Sequence, residues 1–312
     1  MKKFYTKAFY FVAIGIVSYP IFILIWGTVM PVQLKPNIYV VNENRGDRLF
    51  QRLENVKDYN NIDILFLGSS HVYRQFDTRI FKEKGYKTFN LGSSGQTPVQ
   101  SLLFLKKYID KLNPKIIVFE TFPFLFLSDN IESELNLILN GYYKLNYENI
   151  FNILKTKNIK LINSYIYQAL IGYIRKGKLS AKMPNYGGTN KYIEGGYLET
   201  IKNYDTSSEI PYKSKIWRPI YSQQNALDSI VYLIRERNKS LILVQTPMTK
   251  LCYNYILNNE EIDKYFSSKG VYYNFNKIMN LNDTTYFYDT NHLNQKGVDS
   301  FNRAFIRMCL NH

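Results

Sequence analysis

The sequence predicts a doubly wound α/β fold, a parallel sheet with helices on both faces, together with a long insertion and an apolar N-terminal helix. Short apolar runs of strand length alternate with longer amphipathic stretches, as in a sheet whose helices cover both faces. This alternation stops once, between about residues 125 and 221. An uncharged stretch from Ala8 to Met30 precedes all other elements.

The N-terminal stretch predicts a membrane anchor. Ala8–Met30 exceeds the roughly 20 apolar residues that span a bilayer as a helix, and Pro20 is compatible with a membrane helix. Lys2, Lys3 and Lys7 precede this stretch, so the positive-inside rule places the first residues in the cytoplasm. Residues 1–30 are therefore predicted to form a cytoplasmic tip and a transmembrane anchor. The expected location is the cell membrane, single-pass, with the catalytic domain outside the cytoplasm. A cleaved signal peptide and a buried helix of a soluble protein are the alternatives.

The bulk composition is that of a globular protein with a positively charged surface. Its 312 residues can bury a sizeable core, and 46% are hydrophobic and 21% charged. The net charge of +15 favours anionic partners such as phospholipid headgroups or acidic polysaccharide. The basic residues are scattered and no nucleic-acid motif is found, so no nucleic-acid partner is expected. The two cysteines lack metal-ligand spacing, and neither metal nor cofactor is expected.

The remaining elements follow one another in a regular order. Residues 31–60 are predicted to form a linker and a short amphipathic helix, and residues 61–312 an α/β domain whose insertion, about 125–221, is partly helical. The five predicted strands are short apolar runs typical of a buried parallel sheet, at 62–68, 86–92, 115–120, 240–245 and 271–275. The main helices are amphipathic and are expected at 73–85, 98–112, 222–238, 260–269 and 294–310.

Three polar segments are expected at the carboxyl edge of this sheet, where open α/β sheets form their sites. Gly68-Ser69-Ser70-His71 follows the first strand, "NLGSSGQT" (90–97) follows the second, and "YDTNHLN" (288–294) precedes the last helix. Together they supply a serine, a glycine-rich loop and an Asp-x-x-His pair. Acyl transfer requires such parts: a hydroxyl nucleophile, a base oriented by a carboxylate, and N–H donors for an oxyanion.

Each segment also has a structural interpretation. A Gly-Ser-Ser triplet alone is more often a turn, and Asp289 or Asn291 could simply cap a helix entry. His71 is interpreted as a local hydrogen-bonding or helix-start residue. The third histidine, His312, is the final residue, which leaves His292 as the candidate base.

Two acidic residues near these segments, Asp77 and Glu120, could be acidic site residues, but a structural interpretation is favoured for each. Asp77 is expected to be solvated. Glu120 is expected to be a hydrogen-bonding partner at the end of its strand.

The three segments, in this order, resemble the conserved blocks of the SGNH (GDSL-like) hydrolases, which have a flavodoxin-like parallel sheet. "LFLGSSH" is similar to their Gly-Asp-Ser block, with Ser69 in place of the aspartate, and the resemblance covers residues 62–124 and 222–310. It implies that Ser70 is the nucleophile, His292 the general base and Asp289 the residue that orients it. It also implies that the N–H groups of Ser70 and Gly95 bind the oxyanion.

One block of that family has no counterpart. A Gly-x-Asn-Asp block is expected near "FETFPF" (119–124), which contains no asparagine. The loss of one oxyanion donor costs about 100- to 1000-fold in rate. We therefore expect a substitute polar group near Ser70, either Thr121 or a residue of the insertion.

The resemblance and the anchor together favour a membrane-anchored serine esterase or O-acyltransferase, with acetyl as the expected acyl group. Its substrate would be a cell-envelope polysaccharide or other glycan, and its partners the membrane and an acyl-donor protein within it. The alternative is a catalytically inactive domain of this kind that binds or scaffolds envelope-polysaccharide assembly. For an active enzyme, the ordinary histidine pKa predicts activity that rises through roughly pH 6 to 7.

Overall fold

A computed structural model of the chain describes residues 1–39, 48–139, 147–174, 190–205 and 214–310. His312 and parts of the predicted linker and insertion lie outside these ranges. The chain forms two compact units, one from residues 1–45 and 134–184, the other from residues 46–133 and 185–312. The domain boundaries proposed from sequence, at residues 30 and 60, stay a prediction.

Seven strands are found in the described ranges: β1 Ile64–Gly68, β2 Thr88–Gly92, β3 Ile116–Glu120, β4 Asn190–Ile193, β5 Tyr197–Thr200, β6 Ser240–Gln245 and β7 Val271–Asn274. Five of them form one sheet in the order β2-β1-β3-β6-β7, and every neighbouring pair is parallel. If the β4–β5 hairpin is set aside, this is the flavodoxin-like order 2-1-3-4-5. The predicted fold class is confirmed.

The helices are α1 Lys2–Val29, α2 Leu49–Asn55, α3 Ser70–Gln75, α4 Thr78–Glu83, α5 Pro98–Leu112, α6 Ile131–Leu139, α7 Tyr147–Lys155, α8 Ile159–Ile174, α9 Tyr221–Glu236, α10 Lys250–Asn254, α11 Asn259–Ser267, α12 Phe275–Ile278, α13 Asp283–Tyr286 and α14 Gln295–Cys309. The sheet lies between the α5–α9 pair and a layer that includes α14. Every residue of β1 is buried, as expected for a parallel sheet covered on both faces.

One predicted helix is wrong in detail. The stretch 73–85 is divided between α3, which ends at Gln75, and α4, whose N-cap is Asp77. Its carboxylate accepts a hydrogen bond from the Arg79 N–H at 3.0 Å and pairs with the Arg79 guanidinium at 2.7 Å. Asp77, which we expected to be solvated, is 1% exposed. A carboxylate that is paired and caps a helix can be buried at this depth.

The predicted insertion contributes a hairpin to the unit that holds the sheet. Strands β4 and β5 are antiparallel, and the Gly195 carbonyl at their turn accepts a hydrogen bond from the Asn90 N–H of β2 at 2.7 Å. The Thr78 hydroxyl donates to the neighbouring Glu194 carbonyl at 2.6 Å. The hairpin thereby covers part of the outer edge of β2, which would otherwise present unpaired main-chain groups.

The other compact unit contains α1, α7, α8 and most of α6. Among the described helices, α1 alone is long and apolar enough to cross a membrane. It packs along α8 through a cluster that includes Ile23, Tyr167 and Ile171.

Candidate active site

The junction between β1 and α3 displays Ser70 at the carboxyl edge of the sheet. β1 ends at Gly68, Ser69 is the N-cap of α3, and Ser70 is the first residue of that helix. The Ser69 hydroxyl accepts a hydrogen bond from the His71 N–H at 3.3 Å. Gly68 has a φ of 150°, and a Cβ there would lie 2.8 Å from the Cβ of Glu120. A glycine is required because β3 approaches the chain so closely at this point.

Ser70, His292 and Asp289 form a continuous hydrogen-bonded chain. The Ser70 Oγ lies 2.8 Å from His292 Nε2, and His292 Nδ1 lies 2.9 Å from Asp289 Oδ2. Both distances fall within the range required for a serine nucleophile with an oriented base. The three side chains predicted from sequence therefore lie together with the predicted connectivity, although Ser70 and His292 are separated by 222 positions.

The turn that carries the pair is held by Asp289 itself. Its Oδ1 accepts hydrogen bonds from the main-chain N–H groups of Asn291 at 3.0 Å and His292 at 2.8 Å. The helix-cap interpretation of Asp289 is wrong, because α14 is capped by Asn294, whose side chain accepts from the Gly297 N–H at 3.0 Å. The Asp289 carboxylate is thus free to face the imidazole.

The site holds His292 neutral and Asp289 ionised. Burial lowers the pKa of His292 to about 4, and outweighs the hydrogen bond and negative charge of Asp289, which act to raise it. Burial also acts to raise the pKa of Asp289, but the hydrogen bond and charge of His292 and two main-chain N–H groups lower it to about 2. The imidazole is therefore in its base form well below neutral pH. This lowered pKa moves the expected onset of activity below the range of pH 6 to 7 predicted from an ordinary histidine.

A cation lies close to this pair. Arg74, one helical turn after Ser70 in α3, donates a hydrogen bond to the Thr200 hydroxyl of β5 at 2.6 Å. Its positive charge is one of the smaller causes that lower the pKa of His292. The hairpin thus holds a charge that favours the neutral imidazole.

Glu120, at the end of β3, organises the residues on either side of Ser70. Its carboxylate accepts from the Ser69 N–H at 3.2 Å and the Ser69 hydroxyl at 2.7 Å, and it lies 3.2 Å from His71 Nδ1. Glu120 and His71 are 3% and 0% exposed, and the His71 ring meets the His292 ring edge-on at 5.2 Å between centroids. The interpretations of Glu120 as a strand-end partner and of His71 as a local hydrogen-bonding residue are confirmed.

Thr121, the oxyanion donor expected from sequence, lies directly after β3. Its main-chain N–H is used, since it donates to the Val244 carbonyl at 2.8 Å. Its hydroxyl is buried and has no hydrogen-bond partner among the described residues. The polar group that β3 supplies beside the Ser69–Ser70 junction is the carboxylate of Glu120, and the role of Thr121 stays a prediction.

Asn130, a residue of the predicted insertion that was not singled out from the sequence, lies against the glycine-rich loop. A Cβ on Gly95, whose φ is +63°, would lie 2.4 Å from Asn130 Nδ2. The loop packs on α3, because the Tyr73 hydroxyl lies 2.9 Å from the Ser94 hydroxyl. Asn130 lies ten positions after Glu120, beyond the 119–124 segment in which the family block was expected. The only sequence signal was the short polar stretch Ser128-Asp129-Asn130, which follows the apolar segment after β3.

Two main-chain N–H groups of the site are candidate donors to an oxyanion. Within the described ranges, no hydrogen-bond acceptor is found for the main-chain N–H of Ser70 or of Gly95. No group of three or more His, Cys, Asp and Glu side chains in those ranges is placed to hold a metal ion. The chemistry that the arrangement supports is attack by a serine hydroxyl with a histidine as base.

Among known proteins, solved structures are similar to this chain. No protein-family model and no curated protein matches the sequence. A GDSL-like lipase from Bacteroides thetaiotaomicron is similar at 14% identity and a TM-score of 0.41, covering 84% of this chain and 98% of its own. A family 3 carbohydrate esterase from Clostridium thermocellum is similar at 13% identity and a TM-score of 0.35, covering 80% and 94%. The solved structures similar to this chain thus include a lipase and a carbohydrate esterase. The fold class of the chain is assigned from its own strand order.

Proposed function

We propose that the protein is a membrane-anchored serine esterase or O-acyltransferase that acts on acyl esters of a cell-envelope glycan, with acetyl as the group transferred. The observation that carries this proposal is the chain of hydrogen bonds from Ser70 Oγ through His292 to Asp289. Such a chain lets a hydroxyl give up its proton as it attacks a carbonyl carbon.

The reaction would proceed through an acyl-enzyme. The Ser70 oxygen bonds to the ester carbonyl carbon while His292 Nε2 takes the hydroxyl proton. The carbonyl π electrons move to oxygen, and the N–H groups of Ser70 and Gly95 and the Asn130 amide stabilise that oxyanion. As the carbonyl re-forms, the bond to the alcohol oxygen breaks, and the imidazolium returns its proton to the leaving alcohol.

The second half repeats these steps with a new nucleophile. His292 removes a proton from water or a sugar hydroxyl, whose oxygen attacks the acyl carbon of Ser70. The ester bond to Ser70 then breaks, and the Ser70 oxygen regains a proton from the imidazolium. Water gives hydrolysis and a sugar hydroxyl gives transfer, so one arrangement serves both reactions.

The location outside the cytoplasm is part of the proposal. It is supported by α1, by the lysines that precede its apolar stretch and by the net charge of +15, which suits an anionic envelope. The alternative of an inactive scaffold is less well supported, because the geometry of the three side chains meets the requirements of catalysis.

The test is ester cleavage by the full chain in detergent, with p-nitrophenyl acetate and an O-acetylated sugar as substrates. Ser70→Ala and His292→Ala should each remove most of the activity, and the double variant should be little worse, because such residues act as a unit. Ser229→Ala is the matched control, since that hydroxyl lies on the surface of α9 and bonds only its own helix. Cleavage by the unsubstituted chain no faster than the background without protein would favour the scaffold, and equal cleavage above background in Ser70→Ala would refute Ser70 as the nucleophile.

A further inference from the structure

Helix α7 exposes an apolar face. Tyr147, Ile150, Phe151 and Leu154 follow the i, i+3, i+4, i+7 spacing of one helix face, and their side chains are 87%, 39%, 58% and 52% exposed. Monomeric soluble proteins rarely leave a contiguous patch of large apolar side chains in water. The face therefore needs an occupant.

The core of this unit does not cover the exposed face, because α7 already packs on α8 with another side. Ile153 of α7 is 4% exposed and lies in a cluster with Leu161 and Tyr165 of α8. Position 153 falls outside the arc formed by the four exposed residues. Helix α7 is thus apolar on two sides, one toward α8 and one outward.

Helix α8 connects this arrangement to the helix proposed as the membrane anchor. The Tyr19 hydroxyl of α1 donates to Asn163 Oδ1 at 2.6 Å, and the Tyr167 ring lies so close to Gly27 that a Cβ there would be 2.4 Å from it. Tyr19 is the middle residue of the Ala8–Met30 stretch. The contact therefore runs along the second half of α1.

The composition of α8 suits a lipid environment. Lys160 is its only charged residue, and near its ends Ile159, Tyr173 and Ile174 are exposed. The basic residue that ends α7 has the geometry of an interfacial lysine: Lys155 Nζ lies 4.4 Å from the centroid of the Phe151 ring, its stem along the apolar face.

We propose that α7 and α8 form a membrane-surface element, in which the Tyr147–Leu154 face of α7 inserts among the lipids of the outer leaflet beside α1. This inference rests on the proposed membrane anchor. An amphipathic helix with aromatic and aliphatic side chains on one face binds at the headgroup–acyl boundary in this way. The lipid bilayer is chosen over a protein partner because α8, on which α7 packs, is itself packed on α1.

The test places spin labels in the full chain reconstituted in lipid nanodiscs, at Phe151→Cys on the apolar face, at Ile16→Cys in α1, and at Thr156→Cys as the control. Ile16 and Thr156 are both exposed, and Thr156 lies in the turn after α7, outside its apolar face. The native Cys252 and Cys309 are buried, and the unsubstituted chain gives their background labelling. Collision rates with oxygen, which partitions into lipid, and with a water-soluble nickel chelate are then compared.

We expect the labels at residues 151 and 16 to collide several-fold more with oxygen than with the nickel chelate, and the label at residue 156 to show the reverse. If residue 151 behaves like residue 156 while residue 16 lies in lipid, the anchor holds and the membrane-surface element is refuted. If residue 16 is also reached by the chelate, the anchor fails and the element with it. An immobilised label at residue 151 that neither reagent reaches would indicate a second copy or a partner protein, and would also overturn the proposal.

Discussion

The carboxylate of Glu120 accepts hydrogen bonds from both the main-chain N–H and the hydroxyl of Ser69. It also pairs with His71, so one buried acid at the end of β3 holds the residues before and after Ser70. Gly68 permits this, because any side chain there would collide with Glu120. The position of Ser70, the proposed nucleophile, is thus held by a group outside the Ser70–His292–Asp289 chain.

Removal of the Glu120 carboxylate should lower both the free energy of unfolding and the catalytic rate. Glu120→Ala would leave the Ser69 N–H and the His71 ring without their buried acceptor, a loss of about 1–3 kcal/mol in the free energy of unfolding. We expect kcat to fall with little change in KM, because Glu120 positions Ser70. Glu120→Gln keeps an oxygen acceptor for Ser69 and should lose less of both. Urea titrations and steady-state kinetics measure the two quantities, and an unchanged kcat in Glu120→Ala would refute the positioning role.

Asn130 is expected to stabilise the oxyanion. Asn130→Ala removes the amide that lies against Gly95, and the loss of one such donor costs about 100- to 1000-fold in kcat. Thr121→Val removes the hydroxyl expected from sequence to be the donor, and is the comparison; it should cost less, because it is the Asn130 amide that lies against Gly95. Both variants are compared by kcat for an acetyl ester. A larger loss in Thr121→Val than in Asn130→Ala would indicate that Thr121, and not Asn130, is the oxyanion donor.

The pH dependence follows from His292. The base must be neutral, and its lowered pKa keeps it neutral down to about pH 4, so activity should be constant near neutrality and fall as pH drops through about 4. Arg74→Gln removes a positive charge that lowers this pKa and should move the midpoint upward. Profiles of kcat/KM against pH, with circular dichroism to verify the fold at each pH, measure both midpoints. A midpoint near 6.5 in the unsubstituted chain would contradict the account of His292.

The orientation of the chain in the membrane has a direct test. Since Lys2, Lys3 and Lys7 precede the apolar stretch, we expect protease added to spheroplasts to digest the rest of the protein. A cytoplasmic marker protein in the same cells should survive as the control. Full protection of the chain would reverse the orientation, and release by a salt wash would remove the anchor.

The strands and the triad could be predicted because their signals are local. The apolar runs of β1, β3 and β6 lie at the predicted positions to within two residues, since a parallel strand buried on both faces is apolar throughout. Ser70 and the Asp289–His292 pair lie in polar segments next to predicted elements, where the chemistry of the side chains is informative. Their proximity follows from the strand order.

The remaining features depend on contacts that no local pattern records. The break in the predicted 73–85 helix depends on Asp77, the N-cap of α4. Its buried carboxylate is stabilised by the main-chain N–H and the guanidinium of Arg79. Asn130 is a candidate oxyanion donor only because the folded chain returns to Gly95 after β3. The low pKa of His292 is caused chiefly by burial, a property of the folded protein that the sequence does not display.

The central claim is that Ser70 is a nucleophile activated by His292, and a fluorophosphonate tests it most directly. The reagent bonds covalently to an activated serine and gives a stable adduct, which peptide mass spectrometry can locate. The account predicts one adduct, on Ser70, that forms at least 100-fold more slowly in His292→Ala, as expected for the loss of a general base worth roughly 10²–10⁴-fold. An adduct on another residue, no adduct at all, or labelling of Ser70 at the same rate in His292→Ala would contradict it.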